Sequence, residues 1–253
     1  EPGGHNFLQP ALIAPLVQEL NGTIVECNTA YAGRRNTSEA HWQTFKDHGF
    51  ADIAPCDLMD EDGDMALPIT GGKRIHENFV GRNLANYDSM LMLSHFKGHP
   101  MAGLGGALKN MSIGVASARG KQWIHTSGSG ETSFDALMNS DHDGFLESMA
   151  DADQSVMAYM GTKNIVYINV ANRLSVDCDC CAAPADPEMM DIGIFASLDP
   201  VAVDQACVDA VYASKDQGKA ALIERMESRN GVLTIQAAEN LSLGTREYEI
   251  VRI

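Results

Sequence analysis

The sequence predicts an α/β protein with mostly parallel sheets flanked by helices. Three observations carry that reading. Helix-like and strand-like segments alternate along the chain. Three apolar runs, GTIVEC at 22–27, SMLMLS at 89–94 and NIVYINV at 164–170, have the length and composition of buried strands. Loops rich in polar residues or glycine follow them, as at the carboxyl ends of strands in open α/β sheets, where ligands bind. With 253 residues, 45% of them hydrophobic, the chain can build one large domain or two packed lobes. The expectation is a single domain over 1–253 whose lobes, near 1–127 and 145–253, are joined by a polar segment and hold the site between them.

Taken in order, EPGGHNFLQP is a loop, and Pro10 opens a helix to about Leu20 with Leu12, Ile13, Leu16 and Val17 at helical spacing. Pro15 inside that span could kink it. The loop NTAYAGRRN (28–36) leaves the first strand with Asn28, Thr29, Tyr31, Arg34 and Arg35 as candidates for anion contact, against the alternative of a solvated loop. Asn36 or Thr37 caps a helix to about His48, ended by Gly49. Cys56 to Met59 is a short strand, and MALPITGGKRIHE (65–77) a hairpin turning at Gly71-Gly72. Asp60, Glu61, Asp62 and Asp64 lack EF-hand spacing and read as a solvated turn. Residues 128–144 are polar, suiting a lid, a linker or the remnant of an insertion. A helix over 145–160, a strand at 192–196, a helix from Asp199-Pro200 to about Ser214, two helices over 219–228 and 232–241 and a closing strand TREYEIVRI complete the chain. His41, His48, His76 and His142 are expected at the surface, and Cys27 and Cys207 in the core.

Charge bounds the partners. Lys and Arg number 18 against 34 Asp and Glu, so the net charge is 18 − 34 = −16. Nucleic acid and anionic membrane surfaces, which need a basic face, are not expected partners. No apolar run approaches the roughly 20 residues of a membrane span. The six cysteines, three of them within four positions, suit free or metal-bound thiols in a reducing cytoplasm better than a disulfide framework. The chain begins at Glu1 rather than a methionine, and a first strand is expected to precede it.

Two stretches carry chemistry. In SHFKGHPMAGLGGALKNMSIGVASARGKQWIHT (94–126), His95, Lys97, His99, Lys109, Asn110 and His125 accompany six glycines. Gly103, Gly105 and Gly106 let the backbone wrap a ligand closely, while the ionisable side chains suit proton transfer, metal ligation or anion binding. It is not a P-loop, because Asn110 follows the lysine and the GxxxxGK spacing is missing. The competing reading is a set of buried histidines bonded to carbonyls. The second stretch, Asp177-Cys178-Asp179-Cys180-Cys181, alternates thiols and carboxylates. Cys178, Cys180 and Cys181 could ligate a soft or borderline metal or a cluster, act in catalysis, or be structural. Adjacent carboxylates would raise their thiol pKa values.

ECNTAYAGRRN, SHFKGHPMAGLGGALKN, SIGVASARGKQWIHT, VDCDCC and DIGIFASLDPVAVDQAC resemble domain-of-unknown-function family 362, and more closely its "uncharacterised Fe–S centre protein" branch, from Glu1 to Ile253. Members of that branch often insert a ferredoxin-like piece with two four-cysteine runs after the segment matching His125. GSGETSFDALMNSDHDG stands there in this chain without a cysteine, so a [4Fe–4S] pair of that type is not expected. His99 to Lys109, HPMAGLGGALK, is also similar to the PHxxAGxGGxxK stretch of nickel-pincer lactate racemases. That similarity implies His99 as the proton-transfer base, Lys109 as covalent anchor of a nickel-pincer nucleotide and His125 as nickel ligand. Asn110 and Ser112 depart from that pattern, as does Gly98 in place of a proline, and the second catalytic histidine has no aligned counterpart, although His95 is near.

The functional expectation is a metal- or cofactor-assisted enzyme, with nickel, zinc or iron, that moves a proton or hydride on a small carboxylic or hydroxy acid. Arg34, Arg35 or Lys97 would clamp the carboxylate. The alternative is a metal or iron–sulfur protein working in electron transfer or cofactor delivery through the cysteine stretch. The expected partners are a small anion and either a redox partner or further copies of the chain.

Overall fold

The computed structural model describes residues 4–253. Helices α1 (Pro10–Glu19) and α2 (Ser38–Asp47) flank strand β1 (Ile24–Glu26), which pairs in parallel with β2 (Cys56–Leu58). Pro10 sits in the first turn of α1, and the helix continues through Pro15. Thr37 caps α2 by accepting the Ala40 N–H. Strands β3 (Asp64–Pro68) and β4 (Glu77–Gly81) form the expected hairpin. Its Gly71-Gly72 turn is locked from outside: the buried Asp151 carboxylate accepts the N–H groups of Lys73, Arg74 and Ile75 at 2.9, 2.6 and 3.0 Å.

The central sheet has the order β5–β8–β9, with β5 Met90–His95, β8 Ile165–Ala171 and β9 Gly193–Ser197. It takes its first strand from the amino-terminal half and the other two from the carboxyl-terminal half. Strands β5 and β8 are parallel, Ser94 beside Asn169 and His95 beside Val170. Strand β9 returns antiparallel to β8. The sheets are therefore mixed, where mostly parallel ones were expected. No helix lies between β8 and β9 to carry a parallel crossover, so the chain doubles back. A second hairpin unseen in the sequence, β6 (Lys97–His99) with β7 (Gly103–Gly105), follows β5 directly.

A short helix α3 (Ala107–Lys109), continued as a wider turn to Gly114, leads to α4 (Ala118–His125), and α5 (Phe134–Asn139) lies within the polar segment. Helices α6 (His142–Met160) and α7 (Pro200–Ala213) supply much of the core, and α8 (Lys219–Ser228) and α9 (Leu233–Asn240) close it. Asp199 caps α7 by accepting the Val201 and Ala202 N–H groups, ahead of Pro200, as the cap-then-proline pattern foretold. Tyr167, Phe145, Leu146 and Met149 are fully buried, each such apolar side chain contributing about 1.5–3 kcal/mol. No helix among the described residues is long and apolar enough to cross a membrane. The closing segment 245–253 forms no strand; Tyr248 O–H donates to Asp209 and Arg246 pairs with Glu239, so side chains rather than a ladder hold it.

His41 departs from its expected surface position. It is 2% exposed, faces Asn28 Oδ1 from Nδ1 at 3.1 Å and stacks on Phe45. Burial, with Arg35 and Lys121 adding to it, pushes its pKa down to about 3. The unfolded chain takes up that proton near pH 6.5 and the native state does not until near pH 3. The contribution is thus complete above pH 6.5 and lost as pH falls, at about 1.4 kcal/mol per pH unit. Urea unfolding of His41→Gln between pH 7 and 5 is expected to show a pH slope shallower by about that amount than the parent; equal slopes would place a charged His41 in the native state.

Candidate functional site

The site begins with a strand alternation. Lys97 and His99 are two apart in β6, so their side chains share one face. Gly105 pairs with Lys97 across the hairpin. A Cβ at Gly105 would lie 3.6 Å from Lys97 Nζ and 4.0 Å from Lys109 Cδ, so this glycine leaves a notch between two lysines. The tight turn after His99 aims the Met101 and Ala102 N–H groups at His99 Nδ1, at 3.2 and 2.9 Å.

The cysteine stretch docks on this hairpin from nearly eighty residues away. Gly98 N–H donates to Ser175 O at 2.8 Å, and a Cβ at Gly98 would stand 2.6 Å from Val176 Cα. Asp177 is fixed by Ala185 N–H at 3.0 Å and by Arg225 at 3.4 Å. Cys178 to Cys181 then form a turn, with the Cys181 N–H on Cys178 O at 2.9 Å and the Cys180 N–H on Cys178 Sγ at 3.3 Å. Asp179 points back to β5 and β6. Its Oδ2 meets His95 Nδ1 at 2.9 Å and lies 3.9 Å from Lys97 Nζ. His95 Nε2 donates to Asn172 O at 2.6 Å. The ligand atoms of His99, Cys178 and Cys180 all come within 4.8 Å of one another.

Electrostatics follow from this packing. The Cys178 thiol is held well below its usual range, first by the hydrogen bond from Cys180, then by Lys97 and His99, against the opposing effect of burial. Cys180 moves the other way because it gives its hydrogen to Cys178. The adjacent carboxylates were expected to raise these thiols; Asp177 contributes to that at Cys181, behind burial and Cys178, whereas at Cys178 the Cys180 hydrogen bond, then Lys97 and His99, bring the thiol down. Burial works against the Lys97 ammonium, yet Cys178 and Asp179 hold its pKa above the ordinary value. Lys109 is lowered, by burial and by Lys97, although Cys178 opposes the shift. His99 is pushed down to about 4, chiefly by burial and then by Lys109, so the ring is neutral near pH 7. With Nδ1 accepting from two backbone donors, its single hydrogen sits on Nε2, and the hydrogen bond to Cys178 comes from there.

The donor set of two sulfurs and an imidazole is one that could hold a borderline metal ion. The sulfurs fit that role. The His99 ring in this orientation does not, since its Nε2 carries the hydrogen and its Nδ1 lone pair is already used. A four-sulfur cluster is not completed by cysteines of the described chain. Cys27 donates to Val115 O, Cys56 to Ala54 O, and Cys207 accepts from Asn169, all apart from the turn.

The remaining candidates divide. Arg35 interacts electrostatically with Tyr31, Cys180 and Cys178, bringing the loop after β1 to the site, whereas Arg34 pairs with Asp47 on α2. Tyr31 hydrogen-bonds Cys180. Gly103 serves packing, with φ 76° and a Cβ position 2.8 Å from Gly231 Cα. Asn110 ties its turn to β5 through Ser94 Oγ at 3.1 Å. His125 Nδ1 donates to Lys121 O at 2.9 Å, and the ring stacks on Phe145, outside the sulfur group. Asp204 was missed. It accepts Ala107 N–H at 2.7 Å, Leu108 N–H at 3.0 Å and Asn169 Nδ2 at 2.7 Å, and the absence of a side chain at Gly106 admits it. This carboxylate places the backbone that carries Lys109. Its only signal in the sequence is an acid interrupting the apolar run PVAVDQACV.

The model of the family described as Domain of unknown function (DUF362) matches residues 1–209. No curated protein matches the chain.

Gly98→Ala tests the docking. The added methyl group collides with Val176, and a cost of about 1–3 kcal/mol is expected in urea unfolding. The parent is expected to alkylate at Cys178 with iodoacetamide at pH 6, and the variant, its turn displaced from Lys97 and His99, more slowly. Unchanged stability and alkylation would show that this contact does not set the site.

Proposed function

We propose, for a chain that belongs to the family Domain of unknown function (DUF362), an enzyme that moves a proton at the carbon beside the carboxylate of a small carboxylic or hydroxy acid. The observation that carries this reading is the meeting of Lys97, Lys109 and the Cys178 sulfur around the Gly105 notch. Two ammonium groups in one buried notch are suited to a carboxylate and to the second negative charge that develops when its α-proton leaves. The Cys178 thiolate, with its hydrogen bond from His99, is the base that takes that proton and returns it. His95 acts through Asp179, which fixes the turn bearing the sulfur. Arg35 and Tyr31 border Cys180 and give the acid a second wall. All six cysteines are free thiols, which suits a reducing compartment such as the cytoplasm. The small anion is the expected partner, and nucleic acid is not.

The test is solvent deuterium exchange. Small carboxylic and hydroxy acids are incubated with the protein in D₂O and followed by proton NMR. Loss of an α-proton signal with one acid is expected, slowed by about 10²–10⁴-fold in Cys178→Ser and requiring far more substrate in Lys97→Met. Exchange that survives Cys178→Ser undiminished would remove the base from this reading, and no exchange with any acid would remove the reaction.

A second reading is supported by the 4.8 Å grouping: a zinc, nickel or iron ion on Cys178 and Cys180, with the His99 ring turned or replaced by another donor. A nickel-pincer nucleotide on Lys109 belongs to the same reading, as does electron transfer to a redox partner. Elemental analysis of protein purified without chelator decides it. Metal near one per chain, absent from Cys178→Ser, supports a metal centre, and metal-free protein that still exchanges deuterium rules it out.

A further inference from the structure

We propose that Cys178 and Cys180 are a peroxide-reactive dithiol that closes to a disulfide within its own turn. The turn brings both sulfurs to one side. Asp179 between them is anchored on His95 and lies near Lys97, and the ligand atoms of the flanking cysteines fall within 4.8 Å of each other. The donors surrounding Cys178 mark it as the attacking sulfur: the Cys180 N–H at 3.3 Å, the His99 ring N–H and the Cys180 thiol itself. Cys180 is half-buried and hydrogen-bonded to its neighbour, placed as the resolving thiol. Cys178 is 9% exposed, which admits a small oxidant more readily than a bulky disulfide.

The co-reactant is a hydroperoxide. The Cys178 sulfur uses an electron pair to form a bond to one peroxide oxygen. The O–O bond breaks, and the departing alkoxide or hydroxide takes a proton from solvent or a neighbouring ammonium. The Cys180 sulfur then attacks Cys178, the S–S bond forms, the S–O bond breaks, and the hydroxyl leaves as water with the Cys180 hydrogen. Two electrons pass from the thiols to the peroxide, giving one disulfide, one alcohol or water, and one further water. Closure would remove the sulfur that the proposed proton transfer uses. The dithiol itself does not rest on that reaction, because thiol counting tests it without turnover.

Reduced protein is treated with one equivalent of hydrogen peroxide, unfolded in iodoacetamide and mapped by mass spectrometry. Cys178 and Cys180 should lose alkylation together, in a peptide lighter by two hydrogens, and dithiothreitol should restore both. Cys27, Cys56 and Cys207 should stay alkylated. In Cys180→Ser, Cys178 should persist as a sulfenic acid trapped by dimedone, with circular dichroism confirming the fold. Full alkylation of Cys178 and Cys180 after peroxide, a bond to Cys181 instead, or prior oxidation of a core cysteine would overturn the proposal. Deuterium exchange that persists while no disulfide forms would sink the dithiol alone.

Discussion

One backbone contact sets the site: the Gly98 N–H on the Ser175 carbonyl. It joins β6 to a loop that starts after β8, and only a residue without a side chain lets the two backbones approach so closely. From that contact outward the geometry follows. Two residues past Val176 the chain reaches Cys178, and one residue past Gly98 it reaches His99. Asp204 does the equivalent work on the far side of the notch by fixing the N–H groups ahead of Lys109. A glycine that admits a backbone and a glycine that admits a carboxylate thus aim two lysines, an imidazole and a sulfur at one point.

Such a concentration of charge inside a protein is costly by itself. Removing an ion from water costs several kcal/mol even after relaxation, and a partner offsets this only with good geometry. Lys97 has Cys178 and Asp179, which outweigh its burial; at Lys109 burial, joined by Lys97, outweighs Cys178, Cys180 and Asp179, and its pKa is lowered. Asp153 on α6 is a further buried acid, with both oxygens lacking a hydrogen-bond partner and a pKa raised well above normal by burial and by Asp204. These groups reduce stability locally. The surrounding apolar shell, from Met92 and Tyr167 in the sheet to Val201 and Val208 on α7, holds the arrangement in place.

Much of the frame was legible because it rests on local signals. Apolar runs gave β1, β5, β8 and β9, and Thr37, Asp199 and the paired glycines marked caps and a turn. The β6–β7 hairpin was not legible, because KGH and GLG carry no strand propensity and form a ladder only where neighbours enclose them. His41 was misplaced since a histidine on a polar helix gives no sign of the Asn28 side chain waiting above it. The site's residue types were visible, including Lys97, His99, Lys109 and the three cysteines. Their meeting was not, because nothing local in HFKGH encodes a contact with a turn nearly eighty residues later.

The finer chemistry turns on a single hydrogen that no sequence shows. In SHFKGHPMAG, His99 is equally a metal ligand, a base or a structural ring. The turn that follows it sets the tautomer, since two backbone N–H groups converge on Nδ1 and force the hydrogen onto Nε2. A ring in that state donates, and what it meets is a sulfur already surrounded by positive charge. The overall charge of −16 does not oppose this. Exposed carboxylates beyond a Debye length of about 8 Å are screened, while two lysines within one notch act at contact distance and in low dielectric. A cationic notch can therefore sit inside an acidic protein, and the small anion proposed for it would meet that local charge rather than the net charge of the surface.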